Sequence, residues 1–314
     1  MPVLSLRFQA IAHCDLASLA PRGSALCGPG WGLAAGPRMS AVAASCTRTN
    51  TVTVWTLRRG GSLTPLHTIG RDAEGKVEFS FGGALGGGLC FTPPMTYSPV
   101  PSLLVADTGN NRVVEVEGFN PIAGQLGTLK GKTILTMSKE EAPPRSVAAS
   151  AVHIAVCVWS DRRPGQAPGF TGVILYNSLT RARLRRVATA SFPLGIRLSG
   201  QGPRVCVSDM HDGRVLSTCH LPDGYRDGEP DRLLRRSDVN QAFDVEEVEG
   251  GWLVPCHTSG RVVFMSSGGV SREEQEAGPV LCVRLLSPTS LALLPGVGLV
   301  VRDGHAGGTV HVLQ

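Results

Sequence analysis

The chain has 314 residues, of which 42% are hydrophobic and 18% are charged. It therefore has enough apolar side chains for a folded core and not the composition of a disordered protein. Its formal net charge is +5, a modest excess that by itself does not indicate a nucleic-acid partner. No stretch approaches the roughly 20 uninterrupted apolar residues of a transmembrane helix, which excludes a helical membrane protein.

The N-terminus and the cysteines both bear on the compartment. Residues 1–8 lack the basic leader and long apolar region of a secretory signal, so we expect none there. The nine cysteines mostly stand singly inside apolar runs, as in Val205–Val207 and Leu281–Val283. Single cysteines of this kind are common core residues in reducing compartments. We therefore expect a cytoplasmic, monomeric protein with no membrane contact.

Short runs of β-forming residues recur along the chain in sets of three, separated by turns rich in Gly, Pro and Asp. Helical periodicity is weak throughout. The sets recur at roughly 40 to 60 residues, the length of a four-stranded propeller blade with or without an insertion. Six sets are visible, and a seventh is possible if one long spacing hides a degenerate copy. The six occupy residues 31–55, 88–117, 146–176, 194–218, 243–265 and 291–313.

The clearest unit is Leu103–Val116, in which two β runs flank the turn Asp-Thr-Gly-Asn-Asn-Arg. Asp, Gly and Asn tolerate tight turn geometry, and Asp can accept hydrogen bonds from turn amides. This stretch, LLVADTGNNRVVEV, resembles the core of an NHL repeat, and a weaker copy occurs at residues 204–218. The resemblance implies an all-β, six-bladed propeller formed by a single domain over residues 1–314.

A propeller ring must close, and the last set ends at Gln314 without room for a fourth strand. Leu4–Phe8 alternates apolar and polar residues, as a half-buried strand does. We therefore predict that residues 3–8 supply the missing strand of the sixth blade.

Several turns carry an aspartate at the same position as the NHL-like turn. Such a carboxylate could bind a metal on the propeller axis, but it more often accepts hydrogen bonds from buried turn amides. The tight Cys-x2-Cys spacing of structural zinc sites is absent from the sequence. We therefore expect these aspartates to be structural, with no metal and no cofactor. They are Asp107, Asp161, Asp209 and Asp303.

Arginines follow the turns of three sets at one common point, namely Arg112, Arg214 and Arg261, and His211 and His257 lie in the turns just before two of them. Because equivalent positions in a ring point to one face, we expect these five side chains to surround a common region. Guanidinium groups grouped in this way suit carboxylate or phosphate ligands. We therefore predict a basic binding face for a protein partner or an acidic peptide.

Two further arginine clusters, residues 181–186 and 232–236, follow third strands and should lie on outer strands. Solvated charges there would discourage edge pairing. They could also form a basic rim for single-stranded RNA, although aromatic residues for base stacking do not alternate with them.

These observations favour a non-catalytic interaction module over an enzyme. The sequence has no nucleophile elbow and no phosphate-binding loop. Two alternatives stay open, which are a metal-dependent propeller lyase or hydrolase and a propeller that binds single-stranded RNA.

Overall fold

The computed structural model describes most of the chain from Pro21 onward. The described residues are 21–26, 30–36, 41–58, 62–70, 78–82, 85–93, 100–118, 129–159, 169–188, 192–198, 204–209, 215–220, 232–235, 239, 241–248, 251–266, 280–281, 285–294, 298–304 and 308–313. Within these ranges the secondary structure consists of 24 β-strands and one 3₁₀ turn, Thr108–Asn110.

The strands form six antiparallel sheets of four strands each. Sheet 1 contains β2 (Leu33–Gly36), β3 (Ala41–Cys46), β4 (Thr51–Leu57) and β5 (Leu63–Gly70). Sheet 2 contains β6 (Leu89–Phe91), β7 (Leu103–Asp107), β8 (Arg112–Glu117) and β9 (Lys130–Thr136). Sheet 3 contains β10 (Pro144–Ala149), β11 (His153–Val158), β12 (Gly172–Asn177) and β13 (Arg183–Ala188).

The second half of the chain repeats this plan. Sheet 4 contains β14 (Pro193–Leu198), β15 (Arg204–Asp209), β16 (Val215–His220) and β17 (Arg232–Arg235). Sheet 5 contains β18 (Glu246–Val248), β19 (Gly251–Cys256), β20 (Arg261–Ser266) and β21 (Val280–Leu281). Sheet 6 contains β22 (Pro288–Leu294), β23 (Gly298–Asp303), β24 (Thr309–Leu313) and β1 (Pro21–Leu26).

Each of sheets 1–5 is a meander whose strands pair in chain order, and sheet 6 takes its fourth strand from the start of the chain. The strand beside β24 is β1, with Ser24 opposite His311. The position that we expected residues 3–8 to fill is thus taken by Pro21–Leu26, and residues 3–8 themselves lie outside the described residues. First strands of neighbouring sheets contact one another, as β2 does with β6 and β22.

Burial changes from the first to the fourth strand of a sheet. All six residues of β3, β11 and β19 are buried, because a second strand is covered on both faces by the neighbouring sheets. The outer strand β9 is mostly exposed and carries lysines, which discourages pairing with another chain. Because first strands contact one another, they lie around a common axis, and the more exposed fourth strands lie at the rim.

The NHL-like turn between β7 and β8 is held by its aspartate. Asp107 is fully buried, and its carboxylate accepts hydrogen bonds from the Ser80 amide at 2.7 Å, the Asn110 side chain at 2.9 Å and Arg112 Nε at 2.7 Å. Asn111 closes the turn in the left-handed region, with φ of 54°. The structural role predicted for Asp107 is therefore confirmed.

Asp303 has the same role in sheet 6, where its carboxylate accepts the Leu286 and Ser287 amides at 2.8 and 3.0 Å. Asp161 and the side chain of Asp209 lie outside the described residues. Among the described residues, no helix is long and apolar enough to cross a membrane.

Candidate functional site

The six first strands and the segments leading into them surround a small cavity on the axis. The space between its walls amounts to about 360 Å³ when open solvent is included, and about 30 Å³ of this admits water-sized molecules. Every sheet contributes to its wall. The polar lining residues are Arg145 and Ser146 from sheet 3, Arg197 from sheet 4, Asp244 from the segment entering sheet 5, and Ser290 from sheet 6.

Glycines allow the sheets to come this close together at the axis. A Cβ atom on Gly32, Gly88 or Gly195 would collide with backbone atoms of the next sheet. Two of these glycines donate their amides to hydroxyls of the buried second strands, Gly32 to Ser45 at 3.0 Å and Gly195 to Ser208 at 2.9 Å. These contacts fix the cavity wall, because the backbone there has neither room nor free donors for another arrangement.

Arg197 ties three sheets together beside the cavity. Its Nε donates to Glu246 at 2.7 Å, and its Nη2 donates to the Leu291 carbonyl at 2.8 Å and to Asp244 at 3.3 Å. Asp244 and Glu246 belong to sheet 5 and its lead-in, and Leu291 belongs to sheet 6. The cluster therefore joins sheet 4 to both of them through charge-assisted hydrogen bonds.

Burial dominates the ionisation of the two carboxyl groups in this cluster. It raises the pKa of Asp244 and of Glu246 above their ordinary values, although the adjacent Arg197 opposes the rise. A carboxyl group with a raised pKa beside a cavity can exchange protons more readily near neutral pH than an exposed one. Asp244, which faces the cavity, is therefore the best placed acid or base among the described residues.

A second arginine, Arg145, reaches the cavity from β10. Its Nε donates to the Trp159 carbonyl at 3.0 Å, and its guanidinium carbon lies 4.7 Å from the centre of the Trp159 ring. These contacts to one residue hold the planar guanidinium in a defined orientation. The cavity wall thus carries two arginines and one carboxylate.

A cluster of apolar side chains lies beside the cavity, and we call it the aromatic collar. Four of its members, Trp31, Leu85, Leu194 and Phe243, also line the cavity. It brings together segments from sheets 1 to 5 in one packed cluster. Trp31 and Phe243 are paired with ring centres 4.1 Å apart, and Trp159 and Phe192 are paired at 4.7 Å. The collar comprises Trp31, Leu85, Trp159, Phe192, Leu194 and Phe243.

The arginines and histidines predicted to form a binding face occupy different environments. Arg112 is bound within its own sheet region, since its guanidinium donates to Asp107, to Thr133 at 3.2 Å and to the Glu78 carbonyl at 2.9 Å. Arg261 is exposed at the start of β20. His211 and Arg214 lie outside the described residues, so the shared basic face stays a prediction.

His257 does lie near the cavity. Its ring centre is 4.8 Å from that of Phe243 and 5.9 Å from that of Trp31, so it packs behind the aromatic collar. Burial lowers the pKa of His257 below its ordinary value, against the opposing charge of Asp303. A neutral imidazole in this position supports the collar rather than a basic face.

The arginine cluster at residues 181–186 forms ion pairs at the rim. Arg181 binds Glu115 of sheet 2 at 3.0 Å, and Arg183 and Arg186 both bind Glu141 at 3.2 and 3.0 Å. These carboxylates neutralise much of the predicted basic rim. Residues 232–235 form β17, the outer strand of sheet 4, and their side chains lie outside the described residues.

Our sequence interpretation missed Arg145, Arg197 and Asp244. The signal was present, because a charged residue inside a short apolar run, such as Arg197 within Leu194–Leu198, must find a buried partner. The sequence could not show which partner, since Asp244 follows 47 residues later.

Among the described residues, no group of three His, Cys, Asp or Glu side chains could hold a metal ion. Asp244 and Glu246 are two carboxylates of one cluster, and both are bound to Arg197. These two carboxylates therefore do not form a metal site with a third such ligand among the described residues.

No protein-family model and no curated protein sequence matches the chain. Solved structures do match it along most of its length. The PQQ-bound aldose sugar dehydrogenase of Streptomyces coelicolor is 14% identical with a TM-score of 0.59, covering 94% of this chain and 97% of that one. A gluconolactonase of Xanthomonas campestris is 13% identical with a TM-score of 0.61, covering 92% and 88%. A luciferin-regenerating enzyme is 11% identical with a TM-score of 0.61, covering 92% of each chain.

These three similar structures are enzymes, which contradicts our expectation of a non-catalytic interaction module. That expectation treated the chain as a scaffold because catalytic motifs are absent from its sequence, whereas a propeller can assemble a site from single residues of separate sheets. At these identities the likeness establishes the fold, and the activities are those of the similar proteins. By fold, the chain is an all-β propeller.

Proposed function

We propose that the chain is a hydrolase that opens a small ester or lactone in the axial cavity. The observation that carries this proposal is the convergence of Asp244, Arg145 and Arg197 on one small cavity whose other lining residues are mostly apolar. Small-molecule sites have this composition, with a few polar groups fixed in an apolar pocket. The gluconolactonase among the similar structures is consistent with the same chemistry.

Asp244 and the two arginines have different roles in the proposed reaction. Asp244 accepts a proton from water as the water oxygen attacks the ester carbonyl carbon. The two guanidinium groups stabilise the negative charge that develops on the carbonyl oxygen. When the C–O bond to the leaving alkoxide breaks, Asp244 returns the proton to that oxygen, so the products are a carboxylic acid and an alcohol. The proposal includes no metal step.

The test is hydrolysis of a panel of esters and lactones followed in a pH-stat with purified protein. Asp244→Asn should lower kcat by at least about 100-fold, the usual contribution of a general base. Lys132→Gln, on the exposed strand β9, is the matched control and should keep full activity. The rate should rise with pH through the raised pKa of Asp244, because only the ionised carboxylate accepts the proton. Hydrolysis at full rate by a folded Asp244→Asn variant would contradict the proposal.

We infer further that the propeller is a six-bladed ring, one domain over residues 1–314, whose last blade is completed by β1. The six four-stranded sheets and the pairing of β1 with β24 support this. Removing residues 1–26 should expose the edge of β24 and lower the melting temperature strongly. Removing residues 1–8 is the matched control and should change it little. Equal melting temperatures for the two truncations would contradict the inference.

We also infer that the repeats are of the NHL type. The ion pair between Asp107 and Arg112 supports this, because it uses the two charged residues of the NHL-like turn. An experimental structure of sheet 4 should show the equivalent pair between Asp209 and Arg214. An Arg214 directed away from Asp209 would contradict it.

A further inference from the structure

The guanidinium of Arg197 is engaged on several sides. Its Nε donates to Glu246 at 2.7 Å, and its Nη1 donates to the Ile196 carbonyl at 3.0 Å. Its Nη2 donates to the Leu291 carbonyl at 2.8 Å and, less closely, to Asp244 at 3.3 Å. A guanidinium has five N–H donors. The bonds to described residues use four of them, so one N–H of Nη1 is left for a ligand in the cavity, which Arg197 lines.

The two carboxylate partners of Arg197 are placed differently. Asp244 lines the cavity, whereas Glu246 is not among the described residues that do so. Glu246 has the shorter contact with Arg197, and its carboxylate also accepts the backbone amide of Leu293 in sheet 6. Glu246 is therefore fixed from sheet 6 and holds Arg197 from behind, without touching a ligand in the cavity.

The charged and titratable groups around Asp244 come from four sheets. Arg197 and Glu246 belong to sheets 4 and 5, and Arg145 of sheet 3 lines the same cavity. The Cys90 thiol of sheet 2 lies within electrostatic range, and burial raises its pKa, so that it is uncharged near neutral pH. Sheet 6 contributes a backbone amide, and the lining residues of sheet 1 have no titratable group. Besides burial, the share of the Arg197 charge that Asp244 receives therefore governs its ionisation.

We propose that Glu246 is a positioning residue, which holds Arg197 by its Nε so that the guanidinium gives only part of its charge to Asp244 and keeps an Nη1 donor for the substrate carbonyl. This inference rests on the proposed hydrolase function and adds a residue to it. Without the Glu246 carboxylate, Arg197 would pair more closely with Asp244. Asp244 would then be a weaker base, and the guanidinium would stabilise the developing oxyanion less.

The first test is the titration of Asp244 itself, which needs no catalysis. The carboxyl ¹³C NMR signal of Asp244 is followed against pH in the native protein and in Glu246→Gln. In the variant Asp244 should titrate at a lower pH, because it alone then balances the charge of Arg197. Glu247→Gln is the matched control and should leave the titration unchanged, since Glu247 is the next residue of β18 and points to the opposite face of the strand.

The second test is the pH dependence of hydrolysis, with methyl acetate and γ-butyrolactone as substrates. Glu246→Gln should lower kcat at least about fivefold on the high-pH plateau and move the rising limb to lower pH. KM should change by less than about twofold, because Glu246 does not touch the substrate. Glu246→Asp keeps the charge and should restore most of kcat and the position of the limb. A merely structural loss would lower the amount of active protein without moving the limb.

The native protein still decides if Glu246→Gln does not fold. Because Asp244 and Glu246 share one guanidinium, the carboxyl signal of each should show two titration steps, one for its own proton and one for that of its neighbour. A single independent step for each group would overturn the proposal.

The outcomes separate this proposal from the hydrolase. A shifted titration of Asp244 without hydrolysis of any ester or lactone would support the hold of Glu246 on Arg197 and overturn the hydrolase. Hydrolysis with the same titration and the same pH profile in the native protein and Glu246→Gln would keep the hydrolase and overturn the role of Glu246. Absence of both hydrolysis and a shifted titration would overturn both proposals.

Discussion

Two arginine–carboxylate clusters stabilise this propeller, one beside the axis and one at the rim. At the axis, Arg197 joins three sheets through Asp244 and its neighbours. At the rim, Glu141 receives two arginines of β13, one of which, Arg183, is half exposed. The residue types are the same, but the surroundings differ.

The difference appears in the ionisation of the carboxyl groups. Burial raises the pKa of Asp244 and Glu246, and Arg197 does not compensate fully. Burial would also raise the pKa of Glu141, but the Ser138 amide and the two arginines outweigh it, so that this pKa is lowered. Glu141 is itself buried, with only 4% of its side chain exposed. The direction of each shift is therefore decided by the balance between desolvation and the hydrogen bonds and charges that favour the carboxylate, and not by burial alone.

The largest effect should come from breaking the axial cluster. Arg197→Met would leave Asp244 and Glu246 buried without their cation, and should lower the free energy of unfolding by about 3–5 kcal/mol. Urea denaturation measures this. Arg183→Met at the exposed rim is the matched control and should cost less than about 1 kcal/mol. Equal losses would show that burial does not distinguish the clusters.

Asp107 provides an intermediate case, because a fully buried carboxylate there pairs with the partly exposed Arg112. Asp107→Ala removes the acceptor of the Ser80 amide, and should destabilise the protein by about 1–3 kcal/mol. Differential scanning calorimetry measures the loss, and Glu117→Ala, on an exposed position of β8, is the control. A loss as small as that of the control would contradict the structural role of Asp107.

At the rim, Glu141→Gln keeps the shape of the side chain but removes its charge. The expected loss is about 1–2 kcal/mol, because the buried carboxylate accepts the Ser138 amide and two arginines, whereas glutamine keeps one acceptor oxygen. Adding salt should reduce this loss further. A loss above that of Asp107→Ala, measured by the same method, would contradict this order of the two sites.

The smallest effect, a dependence on pH, should have opposite signs in the two clusters. A raised native pKa means that the folded state binds the proton more tightly, so the stability contributed by Asp244 falls as the pH rises above the ordinary value of 3.8. A lowered pKa means that the contribution of Glu141 is present above 4.5 and is lost as the pH falls through its native pKa.

This sign is measured by denaturation of the native protein, Asp244→Asn and Glu141→Gln from pH 4 to 7. The stability difference between the native protein and Asp244→Asn should decrease with rising pH, whereas the difference from Glu141→Gln should increase towards its plateau. If the two stability differences changed with pH in the same direction, the axial and rim carboxyl groups would not differ in the sign of their pKa shifts.

Much of the fold could be predicted from the sequence because strand formation and turn chemistry are local. The β-forming run Thr51–Trp55 predicted a strand, which the structure has at Thr51–Leu57, and the turn after Leu103–Ala106 predicted both the hairpin and the role of Asp107. The six predicted sets overlap sheets 1–6 in their first three strands, except that the first strand of the fifth set was predicted at Phe243–Val245 and lies at Glu246–Val248. The order of residues along the chain was sufficient for these features.

The candidate site could not be predicted in this way, because its residues come from all six sheets. Arg197 and Asp244 meet only when sheets 4 and 5 pack side by side, and Arg145 reaches the same cavity from sheet 3. The closing strand was also misplaced, since Pro21–Leu26 carries little alternation and its pairing depends on the free edge of β24. The sequence by itself determined the strands, the turns and the repeat. Packing of the sheets around one axis decided which charges become buried together, because burial depends on neighbours that lie far away along the chain.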